Sequence, residues 1–358
     1  MTEASRPKIG THNGKFHCDE AFACFLLKQL DQFKDHDIVR TRDEKVLATC
    51  DVVVDVGGVY DHATKRYDHH QKEFQENMQS LGLLPHSTRL SSAGLVYANY
   101  GKAIIANRLQ LKESDRLVTM FYERLYAHYV EAIDAVDNGI PAYDGLPKYH
   151  TGGGVSGRVG RLNPNWNEKD VDPDERFQKA MALVGGDFME YVDDLYKVWW
   201  PARKIVEDAI NTRVEADPSG RVIVLPWDGG VPWKEHFFDI EDELNLAGDR
   251  ITYIVFGEGD NWRVQAIPNS RLSSFDNRQP LPASWRGLRD DALSEKSGIR
   301  GCVFVHVTGF IGGSRSREGA IAMAKNALQL GSQDEEKSTE DEGSDVKKLR
   351  LNEVAAQS

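Results

Sequence analysis

Residues 51–58 read DVVVDVGG, from Asp51 to Gly58, and this stretch decides the fold class. Its centre is short, β-branched and free of polar residues until Asp55, as expected of a strand buried on both faces. Strands of that kind belong to parallel sheets covered by helices. Asp55 stands near the carboxyl end of the run, just before Gly57 and Gly58. In open α/β sheets ligands gather beyond the carboxyl ends of the strands, so the sequence places a carboxylate where such a fold keeps its chemistry.

Working outward, strands are expected at 8–11, 51–56 and 65–67, and helices at 19–30, 91–100, 117–136 and 174–184. The alternation predicts βαβ units and an α/β fold with a mainly parallel sheet. A long helical stretch over 186–214 contains Trp199, Trp200 and Pro201, and the proline should kink or divide it. Four further strands follow in RVIVLPW, RITYIVF, WRVQAIP and GCVFVHV, then a glycine-rich turn, GFIGGSRSREG, leading into the helix AIAMAKNALQL. The domains expected are therefore 1–205, a smaller α+β domain at 206–331, and a disordered acidic tail at 332–358.

Composition narrows the function classes. With 40% hydrophobic and 28% charged residues the chain is that of a soluble globular protein, and no apolar run approaches the roughly 20 residues of a membrane span. No membrane partner is expected. The net charge of -12 argues against a surface that coats nucleic acid, because neutralising phosphates takes clustered Lys and Arg. The tail carries eight acids against four bases, so about four of the twelve negative charges sit there. Cys18, Cys24, Cys50 and Cys302 form no CxxC pair, which favours reduced thiols in a cytosolic or nuclear compartment over a disulfide framework. The start, MTEASRPKIG, shows neither a secretory h-region nor a mitochondrial presequence.

Four segments carry metal-ligand chemistry. THNGKFHCDE places His12, His17 and Asp19 in a loop feeding a helix, although Asp19 and Glu20 could simply complement the helix dipole. DVGG supplies Asp55, which could also be a strand-end turn former. YDHHQ supplies Asp68, His69 and His70; adjacent residues of an extended chain point to opposite sides, so one histidine can bind metal while the other faces substrate. Asp68 can orient an imidazole through its second ring nitrogen. VEAIDAVDNGI reads as a helix capped by Gly139, with Asp137 the ligand candidate and Asp134 facing solvent or lying behind it. Imidazole and carboxylate together suit borderline or hard divalent cations.

The order of THNGKFHCDE, DVGGVYDHATKRYDHHQ, SSAGLVY, EAIDAVDNG, SGRVGRLNPNW, WRGLRD and GCVFVHVTGFIGG resembles the melanocyte-proliferating-gene family of metal-dependent hydrolases, within the DHH phosphoesterase superfamily. The likeness runs from about residue 8 to 330 and implies a DHH-type catalytic domain followed by a substrate-binding domain. It implies that His12, His17, Asp19, Asp55, His69 and Asp137 surround two divalent cations, Mn²⁺ first and Mg²⁺ as the alternative. Asp55 would bridge them, and His70 would contact the scissile phosphate. Superfamily relatives often have Asp where this chain has His17, which lowers the negative charge of the site.

Arg158 and Arg161 are phosphate candidates, Arg158 in a catalytic role beside His70, though ordinary solvated arginines are an equal reading. In the second domain the GFIGG turn, with Gly312 and Gly313, could offer backbone N–H groups to an anion, assisted by His306 and Arg315; a plain connection is the alternative. Trp227, Trp233 and Trp285 could stack on bases, with core packing the commoner use. The function expected is a 3′–5′ RNA exonuclease releasing nucleoside 5′-monophosphates, acting on RNA or short oligonucleotides; polarity and a nuclear or mitochondrial placement come from the resemblance alone. The alternatives are a small phosphoanhydride hydrolase using the same metals and a non-catalytic, metal-bound RNA-binding protein. Nothing in the residues indicates an oligomeric state.

Overall fold

The computed structural model describes residues 6–146, 148–149, 152–246, 250–273 and 275–331, except the side chains of Trp227 and Asp228. The tail expected at 332–358 lies outside the described residues. The chain divides into two compact units, with the division between Lys197 and Val198.

In the first unit β1 (Lys8–Thr11) leads into α1 (Cys18–Lys28), then β2 (Asp37–Arg40), α2 (Glu44–Leu47), β3 (Val52–Val54), β4 (Tyr60–Asp61) and β5 (Arg66–Tyr67). The sheet order is β2-β1-β3-β5-β4, parallel except for the β4–β5 pair. Val52, Val53 and Val54 are all buried, as the unbroken valine run requires of a central strand. β3 is shorter than its sequence pattern, because Asp55 turns the chain with a left-handed φ of 59°. The weakly hydrophobic β2, absent from the sequence reading, is a partly exposed edge strand.

Helices supply the remaining walls: α3 (Ser92–Leu109), α4 (Arg116–Leu125), a π turn (Tyr126–Val130), α5 (Glu131–Asp137), α6 (Val155–Gly160) and α7 (Pro173–Asp194). The helix expected over 117–136 is thus present with a π turn inside it. α1 packs against α3 and α7, with Phe22 edge-on to Phe188 at 5.1 Å. After α7 a second π turn (Leu195–Trp199) precedes α8 (Trp200–Asn211). Pro201 falls in the first turn of α8, directly after that π turn.

Asp134 is fully buried, which corrects the solvent-facing reading of its position. Its carboxylate accepts hydrogen bonds from Ser91 N (2.9 Å), Ser91 Oγ (2.7 Å), Gly94 N (3.0 Å) and Tyr126 OH (3.1 Å), tying α5 to the start of α3. A Cβ on Gly94 would stand 2.4 Å from both carboxylate oxygens, so only glycine admits this contact. Burial pushes the Asp134 carboxyl up to about 7 against the pull of those donors.

The second unit continues with α9 (Arg213–Ala216), β6 (Val222–Asp228), α10 (Trp233–Glu243), β7 (Tyr253–Glu258), β8 (Asn261–Ala266), α11 (Asp290–Ser297), β9 (Cys302–Val305), β10 (Ile311–Ser314) and α12 over residues 317–331. Its sheet order is β6-β7-β8-β10-β9, with only β6 and β7 parallel. Pleating sends Val222, Tyr253 and Val255 into a core with Met323 and Ala324 of α12, while Ile223, Leu225 and Ile254 meet Val206, Phe237 and Ile240 on the other face. Trp285 is buried in the first of these cores and Trp233 packs against the second, which answers the stacking question for both. The side chain of Trp227 lies outside the described residues.

The segment read as a glycine-rich turn is corrected here. Residues 311–314 form β10, paired on both sides, so the N–H groups of Gly312 and Gly313 lie in an interior strand and not in a loop before a helix. A Cβ on Gly312 would come within 2.9 Å of Leu281 Cδ1, and one on Gly313 within 2.8 Å of an Arg263 guanidinium nitrogen. Close packing explains these glycines without an anion.

Asp134→Ala removes the acceptor from several buried donors, each costing about 1–3 kcal/mol when left unsatisfied. The expected loss is about 3 kcal/mol, read as a lowered urea midpoint of the first unit's transition, while Asp134→Asn retains most of the stability.

Candidate metal centre

Three backbone turns bring the centre together. The loop after β1 carries His12 and His17 to the N-terminus of α1, where Asp19 and Glu20 occupy the first turn. Glu20 closes that terminus by accepting from His17 N at 2.9 and 3.0 Å. Asp55 follows β3, its left-handed backbone held by an N–H bond to the Tyr67 carbonyl at 3.0 Å. Aspartate tolerates that conformation better than most residues. The third piece is 68–70, just after β5. These elements are neighbours in one sheet, so their carboxyl ends converge.

His12 Nε2 lies 3.0 Å from Glu20 Oε1 and 3.2 Å from Asp55 Oδ2. His69 Nε2 lies 3.1 Å from Asp137 Oδ2, 3.3 Å from Asp55 Oδ1 and 4.0 Å from Asp19 Oδ2. Despite these separations His69 Nε2, Asp55 Oδ1 and Asp19 Oδ1 are buried without an aligned hydrogen bond. Three overlapping sets result: His12, His17, Glu20 and Asp55; Asp55, His69 and His70; and His17, Asp19 and Asp137. The donor set is of the oxygen and nitrogen type that divalent cations take, and Asp55 belongs to two of the three sets.

The electrostatics point the same way. Burial and the charges of Asp55, Asp137 and Glu20 hold the Asp19 carboxyl well above the usual range, opposed only by a bond from Ser92 Oγ at 2.8 Å. Burial alone would lower His12, but hydrogen bonding to Asp55 and Glu20 outweighs it and raises the imidazole to about 10. For His69 burial is likewise outweighed by Asp137 and Asp55, and its value rises to about 9. Asp55, buried yet within 3.3 Å of both imidazoles, is held by them below the ordinary carboxylate range. Protons on His12 and His69 supply the positive charge that the carboxylates demand.

The rings of adjacent His69 and His70 stand 4.5 Å apart and both imidazoles belong to one ligand set with Asp55, so they do not point to opposite sides as the extended-chain argument expects; they differ in burial, His69 being buried and His70 exposed. Asp68 orients His70, with 2.7 Å between Asp68 Oδ1 and His70 Nδ1, and its other oxygen accepts from Gly58 N at 2.5 Å. A cavity of about 350 Å³ is lined by His12, His17, Arg42, Asp55, Asp68 and His70. A second, of about 370 Å³, is lined by Lys15, His17, Asp19, Asp137 and Ser156 among others.

The other sequence candidates lie elsewhere. Arg158 on α6 faces Asp187 at 3.5 Å, and Arg161 donates to the Gly152 carbonyl at 3.1 Å; neither is among the lining residues of the two cavities. In the second unit His306 Nδ1 meets Thr308 Oγ1 at 2.9 Å, and Arg315 is exposed with Asp290 at 3.7 Å. Glu20 and Arg42 were not singled out by sequence. The spacing of His17 and Glu20 carries a capping-box signal for the first; Arg42 carries none, because its place depends on where β2 ends.

With this geometry the family follows. Residues 8–328 match the family model MYG1_exonuc, "Uncharacterised protein family (UPF0160)". The chain belongs to this MYG1 family. It is similar to the MYG1 protein of Caenorhabditis elegans, 59% identical over 90% of this chain and 95% of the relative. It is also similar to the MYG1 exonuclease of Homo sapiens, 48% identical over 90% of this chain and 86% of that one. Among solved structures, RecJ of Thermus thermophilus in complex with Mn²⁺ aligns with a TM-score of 0.25 and 14% identity, covering 90% of this chain and 52% of that one. The family resemblance drawn from the sequence motifs is thereby confirmed.

Cation binding requires neutral imidazoles, so it must displace the protons on His12 and His69. Affinity for Mn²⁺ should therefore rise with pH through neutrality toward the values near 9 and 10 of the metal-free groups. Calorimetry in two buffers of different ionisation enthalpy should show net proton release at pH 7; a buffer-independent heat would contradict it.

Proposed function

We propose that the chain is a divalent-metal-dependent phosphodiesterase that trims RNA or short oligonucleotides from the 3′ end and releases nucleoside 5′-monophosphates. The observation that carries the reading is the convergence of His12, His17, Asp19, Asp55, His69 and Asp137 beside a cavity that also presents His70 and Arg42. Family membership supports the coarser part, metal-dependent phosphoester hydrolysis. Polarity and the preference for RNA rest on the resemblance.

Two divalent cations bound here would polarise a phosphoryl oxygen and make a water more acidic. The protein's own groups do the rest. Asp68 fixes the tautomer and direction of His70 by holding Nδ1, leaving Nε2 for the substrate. The same carboxylate raises the His70 pKa, favouring a cationic ring that can offset charge on the phosphate. Arg42 is exposed at the cavity rim and can pair with a phosphate oxygen through its planar fork. In hydrolysis a water oxygen forms the new bond to phosphorus, the bond to the 3′ oxygen of the penultimate nucleotide breaks, and that oxygen takes a proton.

Incubating the full chain with Mn²⁺ and, side by side, end-labelled RNA, DNA, a dinucleotide and pyrophosphate should give mononucleotides from RNA. Phosphate released only from pyrophosphate would favour the phosphoanhydride reading, and tight RNA binding without products the non-catalytic one. Asp55→Asn should lower kcat/KM by roughly 10³-fold, about 4 kcal/mol. Arg42→Ala should mainly raise KM, by about tenfold.

A further inference from the structure

We propose that Glu20 is itself a ligand of the cation held by His12 and His17, besides closing the N-terminus of α1; the proposal rests on reading the cluster as a metal centre. Glu20 is fully buried, and a buried carboxylate needs a charged or hydrogen-bonding partner. Its partners are His17 N and His12 Nε2. The backbone bond accounts for a helix cap, but not for the approach to His12.

The His12 ring identifies what belongs there. Its Nδ1 faces the Asn13 carbonyl at 3.1 Å and so must carry a proton to make that contact favourable. Nε2 of the neutral tautomer then bears a lone pair, and it faces carboxylate oxygens of both Glu20 and Asp55 within 3.2 Å. Three electron-rich atoms converge favourably only around a cation.

Charge and direction agree. Two divalent cations bring four positive charges, whereas Asp19, Asp55 and Asp137 supply three negative ones; Glu20 is the fourth. In the first turn of α1 Glu20 lies three residues from His17 and groups with it, His12 and Asp55, while Asp19 turns toward Asp137 and His69 and shares His17 with Asp137 in a second set. Without Glu20 the cation beside His12 and His17 would have one carboxylate, and that one shared.

The discriminating substitution is Glu20→Gln, whose amide oxygen can still accept from His17 N but carries no charge. The full-length metal-free proteins are dialysed against Mn²⁺ alone, bound metal is counted, and the melting temperatures of the metal-free forms are compared. The expected result is two ions in the wild type, and in E20Q one at unchanged affinity and one bound at least tenfold more weakly, with the metal-free variant still melting cooperatively. Two ions at wild-type affinities in E20Q would overturn the Glu20 assignment and leave the metal centre standing. A wild type that binds no Mn²⁺ would overturn the centre itself. If E20Q fails to fold, anomalous diffraction from Mn²⁺-loaded wild-type crystals decides: a Glu20 oxygen within about 2.5 Å of an ion supports the assignment, and separations beyond about 3.5 Å from every ion overturn it.

Discussion

The repulsion among buried carboxylates around Asp55 is the constraint on which the first unit depends. Asp19, Glu20 and Asp55 are almost wholly removed from water, and Asp137 is only slightly exposed. In a medium of low dielectric, like charges at such distances cannot all persist without compensation. The high pKa values of His12 and His69 and the raised Asp19 carboxyl show how the metal-free protein answers: it takes up protons. Helix polarity divides the burden, since Asp19 and Glu20 sit at the favourable N-terminus of α1 whereas Asp137 sits at the C-terminus of α5, where a carboxylate is disfavoured and a cation favoured.

Such a cluster keeps its geometry only if groups outside it hold it. Ser92 at the start of α3 bonds Asp19, and Asp134 holds the same helix start from α5, so two ligand-bearing helices are coupled through one helix terminus. The loop that carries His12 and His17 is pinned twice. Asn163 accepts from Phe16 N and donates to Phe16 O, both at 2.8 Å. Arg40 donates to the Gly14 carbonyl at 2.7 Å and lies under the Phe16 ring. Arg89, bonded to the His69 carbonyl at 2.7 Å, does the corresponding work after β5. Preorganisation of this sort lets ligand atoms stand apart, unpaired, until a cation arrives.

What sequence could show of this follows from the range of each interaction. The valine run of β3 and the helix after His17 are local, so periodicity and strand geometry reach them. Asp134 escaped because its neighbour Ser91 lies on another helix, and the pattern of α5 alone cannot tell a buried helix face from a wet one. Arg42 escaped because it depends on the end of β2, an edge strand too short and too polar to announce itself. The GFIGG segment misled for a different reason. Glycine is equally at home in an anion-binding turn and in a strand pressed against neighbouring side chains, and only the positions of Leu281, Met323, Arg263 and Phe304 distinguish the two.

The overall acidity of the chain acquires a physical role against this background. A protein of net charge -12 gains little from long-range attraction to a polyanion, so under the proposed function its affinity for a phosphate would have to be concentrated within a few ångströms of the centre. At that range the exposed His70 and Arg42 lie beside the buried ligand set, and cations bound there would reverse the sign of the local field. Loading and substrate attraction are then the same electrostatic event: the carboxylates that repel a phosphate from the metal-free protein are those that hold the charges able to draw it in. Under the proposed function the loaded protein would be preferred without any conformational gate, because in the metal-free site the buried carboxylates oppose what His70 and Arg42 offer a phosphate.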